Sequence, residues 1–335
     1  MVAYAKPTHM PDSDSRVIIT DHDFPSIERQ REIIEGAGFH LGEAVPVCRT
    51  EDEIIERCRN ARVLMVQWAP VTKKVLQSLP EVRCIVRYGV GVNNFDLRAA
   101  RELGVVAANV PDYCIEEVSD HAMAMILGLC RRMPQDTAQI RRGEWGIARF
   151  LPVRACSSLT LGLFGFGAIG RRVAAKARPF GFTVTATDPY VPDTVFQREM
   201  VARVDLRTLL ETTDVLSLHA PLVEETTRVI NRESIARMKR GSLLVNTSRG
   251  PLVNESDLVE AIQSGQIGGA GLDVFETEPL PAASPLSRFE NVILTSHAAS
   301  VSERAVVQLQ VKAAETARDF LLGRRLSSAL DLKRF

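Results

Sequence analysis

Short apolar runs alternate along this chain with amphipathic stretches. Arg16–Asp21 (RVIITD), Val63–Gln67 (VLMVQ) and Cys84–Tyr88 are runs of strand length, rich in β-branched and apolar residues. Helical patterns lie between them. Ser26 caps the amphipathic IERQREIIE, which stops at Gly36. Thr50 and Glu53 form a capping box before a second helix, and Asp96–Leu103 reads as a third that Gly104 stops. Ser119–Arg132 is apolar nearly all round, which predicts a buried helix. A second series opens at Leu159. Its strands are expected at Leu159–Phe166, Thr183–Asp188, Val215–His219, Ser242–Asn246, Gly268–Asp273 and Val292–Thr295. Its helices are expected at Ala168–Phe180, Leu206–Glu211, Arg232–Met238, Glu255–Ser264 and Glu303–Leu322. Such alternation predicts an α/β fold with parallel sheets covered on both faces.

The 335 residues divide into two doubly wound domains. Residues 16–108 with about 302–335 are expected to form one domain, and residues 109–301 the other. Asn109–Asp112, ahead of which Pro111 forbids a helix, reads as the hinge. Residues 1–15 are polar, carry Pro7 and Pro11, and read as a disordered lead-in. Arg131–Trp145 reads as a polar, solvated connector.

Composition narrows the function. Forty-one basic residues balance forty-one acidic ones, which argues against a nucleic-acid or membrane partner. The longest uncharged stretch, Ala155–Gly170, is too short and too glycine-broken to span a bilayer. The N-terminus has no apolar core and does not read as a signal peptide. Six cysteines show neither CxxC nor zinc spacing, which points to a reducing cytoplasm and to no metal site.

The first chemical motif is Gly165-Phe166-Gly167-Ala168-Ile169-Gly170, a GxGxxG between a strand and a helix. Gly165 permits the tight turn, Gly167 lets a pyrophosphate approach the backbone, and Gly170 lets the helix pack on the strand. The helix N-terminus supplies N–H groups and a positive dipole end to the phosphates. Asp188, ending the next strand, would accept from the adenosine ribose and repel a 2′-phosphate, so NAD is expected over NADP. The alternative role for Asp188 is to cap the turn before Pro189. Three further segments fall at the carboxyl ends of strands, where ligands bind in open α/β sheets. They are Val245–Gly250 (VNTSRG), Gly271–Pro279 (GLDVFETEP) and Thr295–Ala299 (TSHAA).

With these motifs the chain resembles the NAD-dependent D-isomer-specific 2-hydroxyacid dehydrogenases over essentially all of residues 16–330. The closer likeness is to their C-terminal-binding-protein-like and phosphoglycerate-dehydrogenase-like branch, through Arg87–Asp96 (RYGVGVNNFD) and Pro111–His121 (PDYCIEEVSDH). Asn93, Ala168 and Ser300 depart from that branch, where an aspartate, an arginine and a tryptophan are usual. The resemblance implies a flavodoxin-like substrate domain in residues 16–108 with 302–335, a Rossmann NAD-binding domain in residues 109–301, an active site in a cleft between them, and an NAD(H)-dependent interconversion of a 2-oxo acid and a D-2-hydroxy acid. Arg249, Glu278 and His297 would be its catalytic set. His297 would deliver the proton, Glu278 would orient it and favour its charged form, and Arg249 would hold the carbonyl and carboxylate oxygens. Beside the glycine motif, the implied cofactor contacts are Asp188, His219, Pro221, Thr226, Thr247, Ser248, Arg249, Asp273, His297 and Ala299.

In the same family the loop at Tyr88–Val92 binds the substrate carboxylate, through Val90 and Gly91 here; the alternative is a plain turn. Trp68 and Tyr113 would form an apolar wall to the substrate or belong to the core. Gln67 stands where phosphoglycerate-type relatives often carry an arginine or serine, which argues against a phosphorylated substrate. His9, His22 and His40 read as surface residues, His121 as a core or interface residue, His219 as a strand-end residue, and Cys114 as inert. The 119–132 helix is the expected contact of a homodimer. Two rivals are weighed. A formate dehydrogenase carries glutamine where Glu278 stands. An NAD(H)-sensing binding protein of corepressor type would keep the catalytic set with little turnover.

Overall fold

The computed structural model describes residues 16–147 and 152–332. The lead-in read over residues 1–15 lies outside the described residues. The chain forms two compact units. Unit 1 runs to Tyr113 and resumes at Ser302, and unit 2 is Cys114–Val301.

Unit 1 contains β1 (Arg16–Ile19), α1 (Glu28–Glu35), β2 (His40–Glu43), α2 (Glu51–Arg57), β3 (Ala61–Val66), α3 (Lys73–Ser78), β4 (Cys84–Arg87), α4 (Leu97–Glu102) and β5 (Val106–Ala108). The five strands are parallel in the order β2-β1-β3-β4-β5, the doubly wound flavodoxin-like arrangement. Val63, Leu64, Met65 and Val66 are fully buried, as expected of a central strand covered on both faces. Thr50 and Glu53 close the expected capping box on α2. The Ser26 hydroxyl accepts from the Glu28 amide at 3.2 Å, one residue ahead of the N-cap Ile27. The last helix, α12 (Glu303–Leu321), returns to this unit, packs on α1 and β4, and donates from Gln310 Nε2 to the Ser26 carbonyl at 2.6 Å. The first crossing lies later than the 108/109 boundary read from the sequence. The Asn109 amide still donates to Ser328 and the Val110 amide to Gly89, both in unit 1.

Unit 2 opens with α5 (Ile115–Cys130) and α6 (Met133–Arg141). Then follow β6 (Thr160–Phe164), α7 (Ala168–Ala177), β7 (Thr183–Thr187), α8 (Asp193–Arg198), β8 (Ala202–Arg203), α9 (Leu206–Thr212) and β9 (Val215–Leu218). The remainder is α10 (Arg232–Arg237), β10 (Ser242–Asn246), α11 (Glu255–Gln263), β11 (Ile267–Leu272) and β12 (Val292–Leu294). The seven parallel strands are ordered β12-β11-β10-β9-β6-β7-β8. The order reverses between β6 and β9, the switch point at whose carboxyl side a dinucleotide-binding sheet receives its ligand.

Two expectations change. Arg131–Trp145 is not a plain connector: Met133–Arg141 is helical, with Pro134 in its first turn and no buried residue. His22 is not a free surface residue. Its Nδ1 accepts from the Phe24 amide at 3.0 Å, and its Nε2 lies 2.8 Å from Glu43 Oε1. The apolar helix α5 is buried, as its composition predicts: within its own unit it packs on α7, β10 and β11, and Asp120 and Ala124 are exposed. Among the described residues, all six cysteines are free thiols, no group of side chains could hold a metal ion, and no helix is long and apolar enough to cross a membrane.

Candidate active site

The glycine motif forms the turn between β6 and α7. Gly165 has φ +95°, and a Cβ there would sit 2.6 Å from the Ala220 nitrogen, so side chains are excluded on two grounds. A Cβ on Gly170 would fall 2.4 Å from the Gly165 carbonyl oxygen, which fixes the helix–strand approach. Gly167 differs: a Cβ there meets nothing within 4 Å. The space over Gly167, beside the first amides of α7, is open. Ala168 is exposed and Ile169 half-buried, whereas Phe166 is buried and stacks on Phe196 with centroids 4.6 Å apart.

Asp188 links the glycine turn to its own. Its Oδ2 accepts from the Phe166 amide at 2.9 Å, and its Oδ1 accepts from the Tyr190 and Val191 amides at 2.9 and 3.3 Å. The carboxylate thus caps the turn before Pro189 and also braces the phosphate-type loop. Arg203 donates to the Asp188 carbonyl at 3.0 Å while paired with Asp193.

His219 follows β9. Its Nε2 lies 2.9 Å from Ser217 Oγ, and burial pushes the imidazole down to about 4. Burial at this point favours the neutral ring. Pro221 is exposed, and Thr226 Oγ1 donates to the Pro221 carbonyl at 2.7 Å. After β10, the buried Asn246 shapes the arginine turn. Its Oδ1 accepts from the Ser248 amide at 3.0 Å, and its Nδ2 donates to the Arg249 carbonyl at 2.8 Å. Ser248 Oγ donates to the Ala220 carbonyl at 3.0 Å. Thr247 Oγ1 is buried with no hydrogen-bond partner among the described residues. A buried hydroxyl is seldom left unpaired in a native protein.

The loop after β11 meets the loop after β12 through Asp273, which is 1% exposed. Its Oδ1 accepts from Thr295 Oγ1 at 2.5 Å and from the Ala298 amide at 2.9 Å, and its Oδ2 accepts from the Ala299 amide at 3.0 Å. Its carbonyl accepts from the His297 amide at 2.8 Å. These bonds hold His297 at φ +54°, a left-handed conformation that costs a non-glycine residue about 1–2 kcal/mol. His121 on α5 lies 2.9 Å from Thr295 Oγ1. His297 Nδ1 lies 2.7 Å from Glu278 Oε2, and Glu278 Oε1 accepts from the Phe275 amide at 3.0 Å. Burial pushes the Glu278 carboxyl up. The bonds from His297 and Phe275, with the charges of His297 and Arg249, outweigh it and hold the carboxyl below its ordinary value.

Arg249, Glu278, His297, Asp188 and the glycine turn all belong to unit 2. Val90, Gly91, Trp68 and Tyr113 belong to unit 1. There the Gly89 amide donates to the Arg87 carbonyl at 3.0 Å, so it is engaged within the loop, while the Val90 and Gly91 amides have no bond to the described residues. Trp68 is 40% exposed with its Nε1 on Asp23 Oδ2 at 3.1 Å and the Arg87 guanidinium 5.3 Å from its ring centre. Trp68 is thus exposed with a polar partner at its Nε1, and Tyr113 is buried. The sequence assigned no separate role to Asn246, Thr295 or Gly250 within their segments. A Cβ on Gly250 would fall 1.9 Å from the Phe275 carbonyl, and a lone glycine after an arginine does not announce such a contact.

The doubly wound sheet, open glycine turn and braced carboxylate define a dinucleotide-binding α/β protein. More particularly, the chain belongs to the D-isomer specific 2-hydroxyacid dehydrogenase family, whose NAD binding domain matches residues 123–299. It is 36% identical over 320 residues to a D-3-phosphoglycerate dehydrogenase of Methanocaldococcus jannaschii, covering 95% of this chain and 59% of that one. It therefore spans about three-fifths of that relative's length. A glyoxylate reductase of Korarchaeum cryptofilum is 37% identical, with 81% of this chain and 82% of the relative covered. The crystal structure of a D-lactate dehydrogenase from Aquifex aeolicus, complexed with NAD and lactic acid, superposes with a TM-score of 0.81 at 27% identity, covering 92% and 96% of the two chains. The reading as a non-catalytic corepressor finds no support among these relatives.

Proposed function

We propose that this chain interconverts a 2-oxo acid and a D-2-hydroxy acid, using NAD(H). The observation that carries the reading is the His297–Glu278 hydrogen bond of 2.7 Å, on a loop pinned by Asp273. The open space over Gly167 and the unpartnered Thr247 hydroxyl suit a bound dinucleotide. The α7 N-terminus and the Gly167 and Ala168 backbone would hold its phosphates, and Asp188 its ribose. His219, Pro221, Thr226, Ser248 and Ala299 would border it. When bound, NADH supplies hydride to the carbonyl carbon.

The chain's own residues do the rest. Arg249 holds the carbonyl and carboxylate oxygens and stabilises the alkoxide charge as it develops. With Nδ1 on Glu278, His297 presents Nε2 to the carbonyl oxygen and delivers the proton there. The Glu278 carboxylate stabilises the charged imidazole before transfer and keeps the ring oriented after it. Gln67, at the end of β3, stands where phosphoglycerate-type relatives often carry an arginine or serine, which favours an unphosphorylated oxo acid.

The test is NADH oxidation by the purified protein against glyoxylate, hydroxypyruvate, its 3-phosphate and bulkier 2-oxo acids, with His297→Gln alongside. Turnover that falls by about two to four orders of magnitude in the folded variant is expected. Wild-type turnover that survives the substitution moves the proton donor elsewhere. A homodimer through α5 belongs to the same proposal. Size exclusion at twice the monomer mass supports it, and a monomer at micromolar concentration overturns it.

A further inference from the structure

Glu255 opens α11, six residues after Arg249, with no part in the chemistry above. Its Oε1 accepts from the Glu276 amide at 2.5 Å. The turn that carries Glu278 is therefore held at two consecutive amides. Phe275 donates to Glu278 itself, and Glu276 donates to Glu255. The same β10–α11 connection also abuts this turn at Gly250, where no Cβ fits against the Phe275 carbonyl. The arginine loop and the glutamate turn thus form one mechanical piece, to which Glu255 contributes a carboxylate.

We propose that Glu255 is a positioning residue of this site: it braces the turn bearing Glu278 and adds a negative charge to the field in which Glu278 and His297 share a proton. The inference rests on the dehydrogenase reading above. The charges around Glu255 can be named. Glu276 and Glu278 face it from the turn, Glu276 is paired with Arg228 at 3.4 Å, and Glu278 feels Arg249 and His297. Arg232 on α10 is spent on Asp257 and Glu260, further along Glu255's own helix. Burial and these neighbouring carboxylates push the Glu255 carboxyl up, which is the reciprocal sign of its influence on them. A negative charge here favours the protonated relay, the form that oxo-acid reduction consumes.

Two readouts test this. The first is the pH profile of kcat/KM for oxo-acid reduction. Glu255→Gln keeps a carbonyl to accept the Glu276 amide but removes the charge. Its alkaline limb should move down by about half a pH unit, as expected of one partly screened charge nearby. Glu255→Asp keeps the charge and should leave that limb close to wild type. The second readout is amide exchange at Glu276, which needs neither cofactor nor substrate. Glu255→Ala should speed that exchange about tenfold or more while Glu255→Gln preserves most of the protection. An unmoved limb in Glu255→Gln overturns the electrostatic role, and unchanged exchange in Glu255→Ala overturns the brace. Absence of wild-type turnover on every oxo acid strikes the dehydrogenase reading instead, and the exchange experiment still decides whether the brace exists.

Discussion

Acidification should loosen the dinucleotide-binding unit through His219. In the folded protein burial holds this imidazole at about 4, against an ordinary 6.5. Between those values the unfolded chain binds a proton that the folded chain refuses. Stability is therefore present in full above 6.5 and is lost as the pH falls towards 4. The gap corresponds to about 3 kcal/mol. That is a large share of the 5–15 kcal/mol or so that holds a typical domain together. The mechanism is local. The His219 backbone lies against Gly165, where an added Cβ would fall 2.6 Å from its carbonyl carbon, so solvating a charged ring here disturbs the glycine turn. The assay is urea unfolding of wild type and His219→Gln from pH 7 to pH 4. Other groups titrate in both proteins, so the difference between the two curves isolates His219. The wild type should lose about 3 kcal/mol more than the variant across this window. Parallel curves would show that the imidazole is solvated in the folded protein and refute the reasoning.

Other expectations concern ligand and backbone. Asp188→Ala should relax the preference for NAD over NADP in competition binding, and an unchanged ratio would leave Asp188 only its turn-capping bonds. Thr247→Val removes a buried, unpartnered hydroxyl, so the cofactor-free protein should gain about 1 kcal/mol in unfolding free energy while NADH binds about tenfold more weakly. Unchanged NADH affinity would detach Thr247 from the cofactor. Gly250→Ala drives a methyl into the Phe275 carbonyl and should cost about 3 kcal/mol, read as a lower melting temperature.

Much of the architecture was legible because parallel strands buried on both faces leave unbroken apolar runs, such as VLMV in β3 and SLLVN in β10. The helix α6 escaped because it buries none of its residues and therefore has no apolar stripe to detect. The edge strands β2 and β8 escaped for a related reason: HLGE and AR are short and largely solvent-facing. The glycine motif stood out by its spacing within the chain, and the catalytic set by its likeness to a known family. The roles of Asn246, Glu255 and Thr295 depend on loops brought together only by the sheet order, so no local pattern carries them. His22 shows the same limit, since its partner Glu43 lies on a strand that the pattern did not reveal.

The return of α12 to unit 1 sets an order of events during synthesis. Residues 114–301 are contiguous and can complete their sheet as they leave the ribosome. Residues 16–113 emerge first, yet the side of their sheet and the flank of α1 that α12 covers must wait for Ala305, Leu309, Ala313, Ala314 and Ala317 to be made. The first unit to be translated is thus the last to finish. During that interval its apolar surface is the part of the nascent chain most exposed to aggregation and to chaperones.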